Sequence, residues 1–339
     1  MTRIIAIDDI MRLIHRVTLK QFMLQLVEQL RKDFARWDEF DKSPRHATYY
    51  PHGVIELMPI SDHQYYAYKY VNGHPNNPKQ HKQTVVATGQ LSSVETGYPI
   101  LISEMTLLTA FRTAATSALS SQYLAPKNNR TFGIIGTGAQ SEFQTLAHHF
   151  ALEIDQIYYF DLDEAAMDKF EANLRPYPLT LHRCQNAKEV IDNTLLITTA
   201  TASKANAKVI ESDWIAKGCH LNKIGGDAPG KTELDPHLLK KAKIVVELPE
   251  QTKVEGEIQQ LSSPVIYACL WELAAGKKPG RTSQDEITLF DSVGFALEDY
   301  SVLRLVHQLV EEYGIGHQLE MVPHLPDPKN LFSTFTVHH

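Results

Sequence analysis

The sequence predicts an α/β protein in two parts, one of which contains a parallel sheet covered by helices on both faces. From about residue 130 onward, short apolar runs alternate with helix-like segments, which is typical of a parallel sheet. Before residue 100, short strand-like runs follow one another with little helix between them. A composition of 43% hydrophobic and 22% charged residues, over 339 residues, allows two globular domains.

The first hundred residues are predicted to form an α+β unit. A helix is expected over about 17–37, followed by strands at 54–59, 64–71, 83–90 and 92–96. The next segment, about 104–124, predicts a long helix that Pro126 ends. Because this helix is rich in Ala, Ser and Thr, we expect it to pack closely against a neighbour.

The second part shows a regular alternation of strands and helices. Strands are expected at 130–136, 156–161, 179–183, 194–199, 217–225, 243–248 and 286–292, with helices at 139–152, 163–174 and 186–192. A last helix carries apolar residues at helical spacing from Leu297 to Val310, and Gly314 can end it. The tail, 315–335, has too little apolar content to fold alone, so we expect it to pack on the first part.

Composition and charge exclude several classes of function. A net charge of −7 without a basic stripe argues against binding nucleic acid. No run of 18 apolar residues is present, so we expect no membrane span. Three cysteines, Cys184, Cys219 and Cys269, lie far apart and form neither a metal motif nor a disulfide framework. This usage suits a reducing cytoplasm, and we expect no bound metal.

The stretch YYAYKYVNGHP, 65–75, places a lysine in the middle of an aromatic strand. Since strand side chains alternate between two faces, Lys69 shares its face with Ala67 and Val71. Lys69 is then an edge-strand lysine that discourages aggregation, a lysine whose ammonium group reaches water along its chain, or a cation directed into a site to bind an anion or exchange a proton.

A glycine-rich loop lies between a predicted strand and a predicted helix. Gly136 permits a tight turn, and Gly138 permits the backbone to approach a pyrophosphate at the start of the helix. Ser141 replaces a third glycine, and Asp161 ends the next strand, where an acid can bind a ribose hydroxyl. The pattern predicts a dinucleotide site that prefers NAD over NADP; the alternative is a structural glycine turn in an unrelated α/β domain.

Seven stretches carry a resemblance to a known family. They are KYVNGHP (69–75), ETGYP (95–99), FRTAATS (111–117), IGTGAQSEFQ (135–144), HLNKIGGDAPGKTEL (220–234), EGEIQQL (255–261) and FDSVGFALEDY (290–300). Together they resemble the ornithine cyclodeaminase/μ-crystallin family. The resemblance implies a homodimer whose subunit has a Rossmann NAD-binding domain, 121–314, and a discontinuous substrate-binding and dimerisation domain, 1–120 plus 315–339.

The resemblance also implies a reaction, in which L-ornithine becomes L-proline and ammonia while NAD⁺ is recycled within each turnover. The substrate carboxylate is expected to meet Arg45, Lys69 and Arg112, and Lys69 is also a candidate for proton exchange. Glu56, on one strand face with Val54 and Met58, is expected near a substrate amine. Met58 and Val293 are expected to line the pocket. Cofactor contacts implied by the resemblance are Thr84, Ala139, Gln140, Thr201, Ile224, Gly225, Gly226, Asp227, Lys231 and Ser292, besides the glycine loop and Asp161.

Asp227 follows Gly225-Gly226 at the end of a predicted strand, where open α/β sheets bind their ligands. In the family this aspartate is the catalytic acid and base. An alkylamine has a pKa of roughly 10.4 and is mostly protonated near neutral pH, so a positioned carboxylate can take its proton as the amine attacks. A turn aspartate after two glycines is the alternative interpretation.

Several functions remain open on sequence alone. An amino-acid dehydrogenase or a cyclic imine reductase of the same family would share the cofactor loop and the cations. A lysine cyclodeaminase differs only by one methylene in its substrate, which is weakly discriminated. A non-catalytic, crystallin-like member would bind the dinucleotide without needing Asp227 or Lys69.

Overall fold

The computed structural model describes residues 1–201, 209–226 and 228–335. The first of its two sheets is formed by β1 (Thr2–Ile5), β2 (Asp41–Lys42), β3 (His46–Tyr50), β4 (Gly53–Ser61), β5 (Tyr65–Gly73), β6 (Val85–Ser93), β7 (Pro99–Glu104) and β16 (His317–Leu319). The second sheet is formed by β8 (Thr131–Ile135), β9 (Gln156–Phe160), β10 (Thr180–Arg183), β11 (Leu196–Thr199), β12 (His220–Lys223), β13 (Lys243–Val246), β14 (Ala268–Cys269) and β15 (Thr288–Asp291).

The helices surround and connect the two sheets. They are α1 (Ile7–Val17), α2 (Leu19–Ala35), α3 (Thr106–Leu124), α4 (Ser141–Leu152), α5 (Glu164–Leu174), α6 (Ala187–Asn193), α7 (Pro236–Lys241), α8 (Pro249–Glu255), α9 (Leu270–Ala274) and α10 (Ala296–Tyr313). Among the residues that the structure describes, no helix combines the length and the apolarity needed to cross a bilayer.

The second sheet has the order β10-β9-β8-β11-β12-β15-β13-β14, and each adjacent pair is parallel. Its two faces pack into separate apolar clusters. Ile135 and Leu221 contribute to the cluster beneath α6 and α7, whereas Phe132 and Ile134 pack with α4 and α5. The predicted parallel sheet covered on both faces is confirmed.

The first sheet is mostly antiparallel, with the order β16-β1-β7-β6-β5-β4-β2 and with β3 paired to β4. Residues 83–90 and 92–96, predicted as two strands, form the single strand β6 and the turn after it. Gly97, with φ 74°, lies in the turn that leads into β7. The sequence analysis missed β1, β2, β3, β7 and α1. β1 and β2 are short and β3 is largely exposed, whereas the buried residues of α1, Ile10, Leu13 and Val17, follow a helical spacing that was overlooked.

The last long helix, α10, packs on α2, α3 and the inner face of β4, β5 and β6. Residues of α10 such as Leu303 and Val306 belong to the same core cluster as Phe22 and Leu91. The tail returns to the first sheet as expected, because β16 pairs antiparallel with β1. We therefore propose that residues 296–313, which the sequence assigned to the cofactor-binding domain, belong with the first sheet.

Candidate active site

A cavity of about 280 Å³ lies where the inner face of the first sheet meets the carboxyl ends of the second-sheet strands. Open α/β sheets bind ligands at this edge. Its walls include every residue that the resemblance implied for the substrate, namely Arg45, Glu56, Met58, Lys69, Arg112 and Val293. They also include five of the expected cofactor contacts, namely Thr84, Ala139, Gln140, Ile224 and Ser292.

Lys69 lies on the inward face of β5 with Ala67 and Val71, as the alternation predicts, and only 1% of its surface is exposed. Its Nζ donates a hydrogen bond of 2.8 Å to Oδ1 of Asp299. Burial and the nearby charge of Arg112 lower the pKa of Lys69 to about 8, although Asp299 opposes this change. The edge-strand interpretation is wrong, because the ammonium is fully enclosed at the cavity wall.

Arg112 projects from α3, whose alanine and serine residues allow close packing. Its Nη1 donates to Glu298, and its Nε lies 3.2 Å from Asp299 Oδ1. Burial opposes the charge on Arg112, but Asp299 and Glu298 together raise its pKa above the ordinary value. A Cβ added at Gly294 would lie 2.5 Å from Arg112 Nη1, so the guanidinium is held against that glycine.

Arg45 faces protein acceptors with all three nitrogens of its guanidinium. Nη1 lies 3.0 Å from Glu56 Oε1, and Nε lies 3.3 Å from Glu255 Oε2. Nη2 donates to the carbonyl oxygens of Val293 and Gly294 at 2.5 Å and 2.6 Å. A substrate carboxylate could bind Arg45 only by displacing one of these acceptors. The main contact of Arg45 in this structure is therefore a structural one, between β4 and the 293–294 turn.

Buried acids behind the cations were missed by the sequence analysis. Glu298 and Asp299 open α10, and Glu247 follows β13; all three are at most 1% exposed. Glu247 accepts hydrogen bonds from Ser292 Oγ at 2.5 Å and from Gly294 N at 3.2 Å. Burial and the nearby Glu298 raise the pKa of Glu247 to about 8. The available signal was an acid inside an apolar run, as in VVEL and FALEDY.

The glycine loop between β8 and α4 has the geometry of a pyrophosphate cradle. Gly136 has φ 98°, and a Cβ there would lie 2.7 Å from the carbonyl oxygen of Ala200. A Cβ at Gly138 would meet nothing within 4 Å, so that position is open for a ligand. Thr137 N donates to Asp161 Oδ2 at 2.6 Å, which places the acid directly beside the loop.

The remaining expected cofactor contacts lie near this loop or beyond the cavity wall. Thr201 N donates to Glu233 Oε1 at 2.9 Å, and Gly225 and Gly226 follow β12. Lys231 lies in the turn that begins at Ala228. Asp227 lies outside the described residues. The amide oxygen of Gln140 is buried and, within the part of the chain that the structure describes, accepts no hydrogen bond. A polar ligand would satisfy this oxygen, so the residues fit a bound dinucleotide.

A sequence model of the ornithine cyclodeaminase/mu-crystallin family matches residues 7–314. The chain belongs to this family. The ornithine cyclodeaminase of Brucella suis is 46% identical over 334 residues, covering 98% of this chain and 93% of that protein.

Solved structures of other proteins share the architecture of this family member. An archaeal alanine dehydrogenase dimer with bound NAD has a TM-score of 0.87 and 32% identity, covering 95% of this chain and 99% of that one. A lysine cyclodeaminase, described in a study of its recognition of L-lysine, L-ornithine and L-2,4-diaminobutyric acid, has a TM-score of 0.90 and 27% identity, covering 98% of each chain.

Proposed function

We propose that this protein is an ornithine cyclodeaminase, which converts L-ornithine to L-proline and ammonia with NAD⁺ recycled in each turnover. One observation carries the proposal: a single cavity is lined by Lys69 and Arg112 and by Ala139 and Gln140 of the glycine loop. The reacting carbon of an amino acid bound through its carboxylate can therefore lie beside a dinucleotide. The high identity to the Brucella suis enzyme supports ornithine as the substrate.

The carboxylate of the substrate is proposed to bind Lys69 and Arg112. Both side chains are buried at the cavity wall, where a charge-assisted hydrogen bond is strong. The Arg112 guanidinium can present two parallel N–H groups, which orient a carboxylate and the adjacent Cα. Asp299 fixes both cations before the substrate arrives, so little reorganisation is needed.

The rest of the ornithine chain is proposed to lie along Met58 and Val293, which are 2% and 7% exposed and give the cavity an apolar wall. Glu56, held by Arg45, supplies a carboxylate near the amine end. We propose that Asp227 takes the proton of the δ-ammonium group and later returns a proton to the departing ammonia. Attack of the freed amine closes a five-membered ring, which intramolecular geometry favours.

NAD⁺ is the proposed cofactor, held by the 136–140 loop, with Asp161 near its ribose. When bound, it would accept a hydride from Cα, which leaves an iminium carbon for the δ-amine to attack, and would return the hydride to the cyclic imine that remains after ammonia departs. Asp161 favours NAD⁺ over NADP⁺, since a carboxylate beside the loop repels a 2′-phosphate. The alanine dehydrogenase of similar fold binds NAD.

The proposal is tested by incubating the protein with L-ornithine and substoichiometric NAD⁺ and measuring proline, ammonia and NADH. We expect many proline molecules per NAD⁺, equal amounts of ammonia, and no net NADH. NADH rising in step with a keto acid would instead indicate a dehydrogenase. Faster turnover of L-lysine than of L-ornithine would identify a lysine cyclodeaminase, and binding of NAD⁺ without any product would support a non-catalytic member.

We also propose that the outer face of the first sheet forms a homodimer. Leu57 and Tyr70 are paired across β4 and β5, and with Tyr66 and Val86 they leave at least 40% of their surfaces exposed. Contiguous exposed apolar surface of this kind marks protein interfaces. Sedimentation of Leu57→Glu/Tyr70→Glu should give a monomer, whereas Val265→Glu, an 81% exposed control, should stay dimeric. A monomeric wild-type protein would contradict the proposal.

The cysteines support a proposed location in a reducing cytoplasm. Cys184, Cys219 and Cys269 are unpaired. Burial raises the pKa of Cys219 to about 12 and that of Cys184 to about 11, so both stay as thiols at neutral pH. Unpaired buried thiols are usual where the surroundings are reducing.

A further inference from the structure

A fully buried lysine ends β12, outside the cavity lining. Lys223 has 0% exposed surface, and its Nζ donates a hydrogen bond of 2.7 Å to the carbonyl oxygen of Gly226. The same nitrogen lies 3.5 Å from Oε1 of Glu257. A lysine is rarely enclosed so completely unless its charge is compensated, so the surroundings of Lys223 need an explanation.

Two buried carboxylates compensate Lys223. Glu257 accepts hydrogen bonds from the backbone nitrogens of Glu233 at 2.7 Å and Leu234 at 3.1 Å. Asp291 accepts from the backbone nitrogens of Glu257 at 2.9 Å and Ile258 at 3.0 Å. Burial raises the pKa of Glu257 to about 7, and Lys223 opposes this increase. Both acids therefore accept hydrogen bonds from the backbone. The hydrogen bond that Lys223 donates to Gly226 is an additional interaction, which involves neither acid.

The turn after β12 is built around these side chains. A Cβ added at Gly226 would overlap the ammonium of Lys223, and one added at Gly225 would overlap the carboxylate of Glu233. Glu233 also accepts hydrogen bonds from Thr201 N at 2.9 Å and Thr199 Oγ1 at 2.8 Å. Glu233 therefore links the end of β11 to the two-glycine turn after β12, and Lys223 packs against the same turn.

We propose that Lys223 is a positioning residue, which fixes the carbonyl of Gly226 and so orients the peptide unit that leads into Asp227. This carbonyl belongs to the planar peptide bond between residues 226 and 227, so a hydrogen bond to it restrains the backbone immediately before the aspartate. The inference rests on the proposed role of Asp227 in proton transfer. Small displacements of a catalytic group lower the rate strongly, so Lys223 acts on turnover without contacting the substrate.

The matched test compares Lys223→Met with Glu257→Gln. Both remove the buried ion pair, and Glu257→Gln also gives up one of the two backbone hydrogen bonds from Glu233 and Leu234, but only Lys223→Met removes the hydrogen bond to Gly226. For Lys223→Met we expect kcat with L-ornithine to fall on the order of 100-fold. The KM for ornithine should change by less than about threefold, because Lys223 does not line the cavity. For Glu257→Gln we expect kcat within about threefold of wild type.

A second readout does not depend on activity. Hydrogen–deuterium exchange in the cofactor-free protein should become faster in peptides covering 224–231 for Lys223→Met, and should stay near the wild-type rate for Glu257→Gln. If Lys223→Met fails to fold, the charge-balanced Lys223→Met/Glu257→Gln double variant carries the same expectations. Peptides from β6 serve as an internal reference, because β6 lies in the other sheet.

The outcomes separate this inference from the proposed function. Equal losses of kcat in Lys223→Met and Glu257→Gln would show a purely structural ion pair and overturn the positioning role. Unchanged exchange over 224–231 in Lys223→Met would overturn it as well, with or without activity. A wild-type protein that makes no proline from ornithine would defeat the proposed function, whereas selective loosening of this turn would still support Lys223 as its restraint.

Discussion

The ammonium of Lys69 and the carboxylate of Asp299 form a buried pair, with Nζ 2.8 Å from Oδ1 and at most 2% of either side chain exposed. The same oxygen lies 3.2 Å from Nε of Arg112. One carboxylate oxygen therefore holds two cations of the candidate substrate site in place. Since burying a charge without a partner is costly, Asp299 makes it possible to keep both cations in a closed pocket.

Replacing Lys69 tests the proposed carboxylate site. In Lys69→Met the side chain keeps its bulk but loses its charge and its donor. A hydrogen bond to a charged group contributes about 1.5–3 kcal/mol, so we expect kcat/KM for ornithine to fall by about 10- to 150-fold. Steady-state kinetics measure the loss. Lys277→Met, which changes a half-exposed lysine distant from the cavity, should leave kcat/KM unchanged. Equal activity of both variants would show that Lys69 does not bind the substrate carboxylate.

The depressed pKa of Lys69 predicts a pH dependence of anion binding. Lys69 faces Arg112, Asp299 and Arg45, and its pKa is lowered from 10.5 to about 8. Only the charged form attracts a carboxylate, so affinity should be full below about pH 8 and fall above it. Inhibition by pentanoate, which has no amine of its own, measures this directly. Inhibition that stays constant to pH 10 would contradict the prediction.

The same pKa shift has a consequence for stability. Between pH 8 and 10.5 the unfolded chain still holds the Lys69 proton, whereas the folded protein has released it. The unfolded state then binds more protons, so the contribution of Lys69 to the free energy of unfolding rises with pH across this window. Denaturant unfolding at several pH values should show wild type gaining stability relative to Lys69→Met in this range. A constant difference between them would contradict the shift.

The two loop glycines should respond differently to alanine. Gly136→Ala puts a side chain at φ 98° against the backbone of Ala200, so we expect a loss of about 1–3 kcal/mol or more in unfolding free energy. Gly138→Ala meets no atom within 4 Å, so the cofactor-free protein should change by less than about 0.5 kcal/mol. Calorimetry of NAD⁺ binding should nevertheless show at least about tenfold weaker binding in Gly138→Ala, because its methyl group occupies the pyrophosphate approach. Unchanged NAD⁺ affinity would argue for a purely structural turn.

Asp227 is tested by Asp227→Asn, which keeps the shape of the side chain but removes the proton acceptor. General acid–base catalysis contributes about 100- to 10,000-fold, so we expect kcat to fall within this range. Ornithine and NAD⁺ should still bind, with Kd values within about threefold of wild type. Single-turnover kinetics measure the loss of rate, and calorimetry measures the two Kd values. A variant that turns over ornithine normally would refute the role of Asp227.

The sequence predicts the second sheet more fully than the first. Parallel strands buried on both faces appear as continuous apolar runs, such as TFGII at β8, which are easily recognised. In the first sheet the long strands β4, β5 and β6 were predicted, whereas two others were not: β3 is largely exposed, and β7, PILISE, shows no strict alternation of apolar and polar residues. The position of α10 is not encoded locally. Its apolar spacing predicts a helix, but only the tertiary fold shows which sheet that helix covers.

The cations of the candidate site were predicted, whereas the buried acids behind them were not. Lys69 stood out because it interrupts an aromatic strand, and the family resemblance supplied Arg45 and Arg112. Glu298 and Asp299 lie at the start of a helix, where acidic residues are ordinary. Their partnership with Lys69 and Arg112 spans 230 and 186 residues of sequence, so no local pattern could reveal it.

The contacts of Arg45 have a consequence for how long a nucleotide stays bound. Arg45 reaches from the first sheet to the 293–294 turn and to Glu255, and its backbone nitrogen donates to Gln251. Opening the cleft would break these enclosed ionic contacts, so we expect departure of the dinucleotide to be slow. An enzyme that gives back each hydride has no need for such departure. We therefore expect its output to follow the supply of diamino acid rather than the cell's ratio of oxidised to reduced nucleotide.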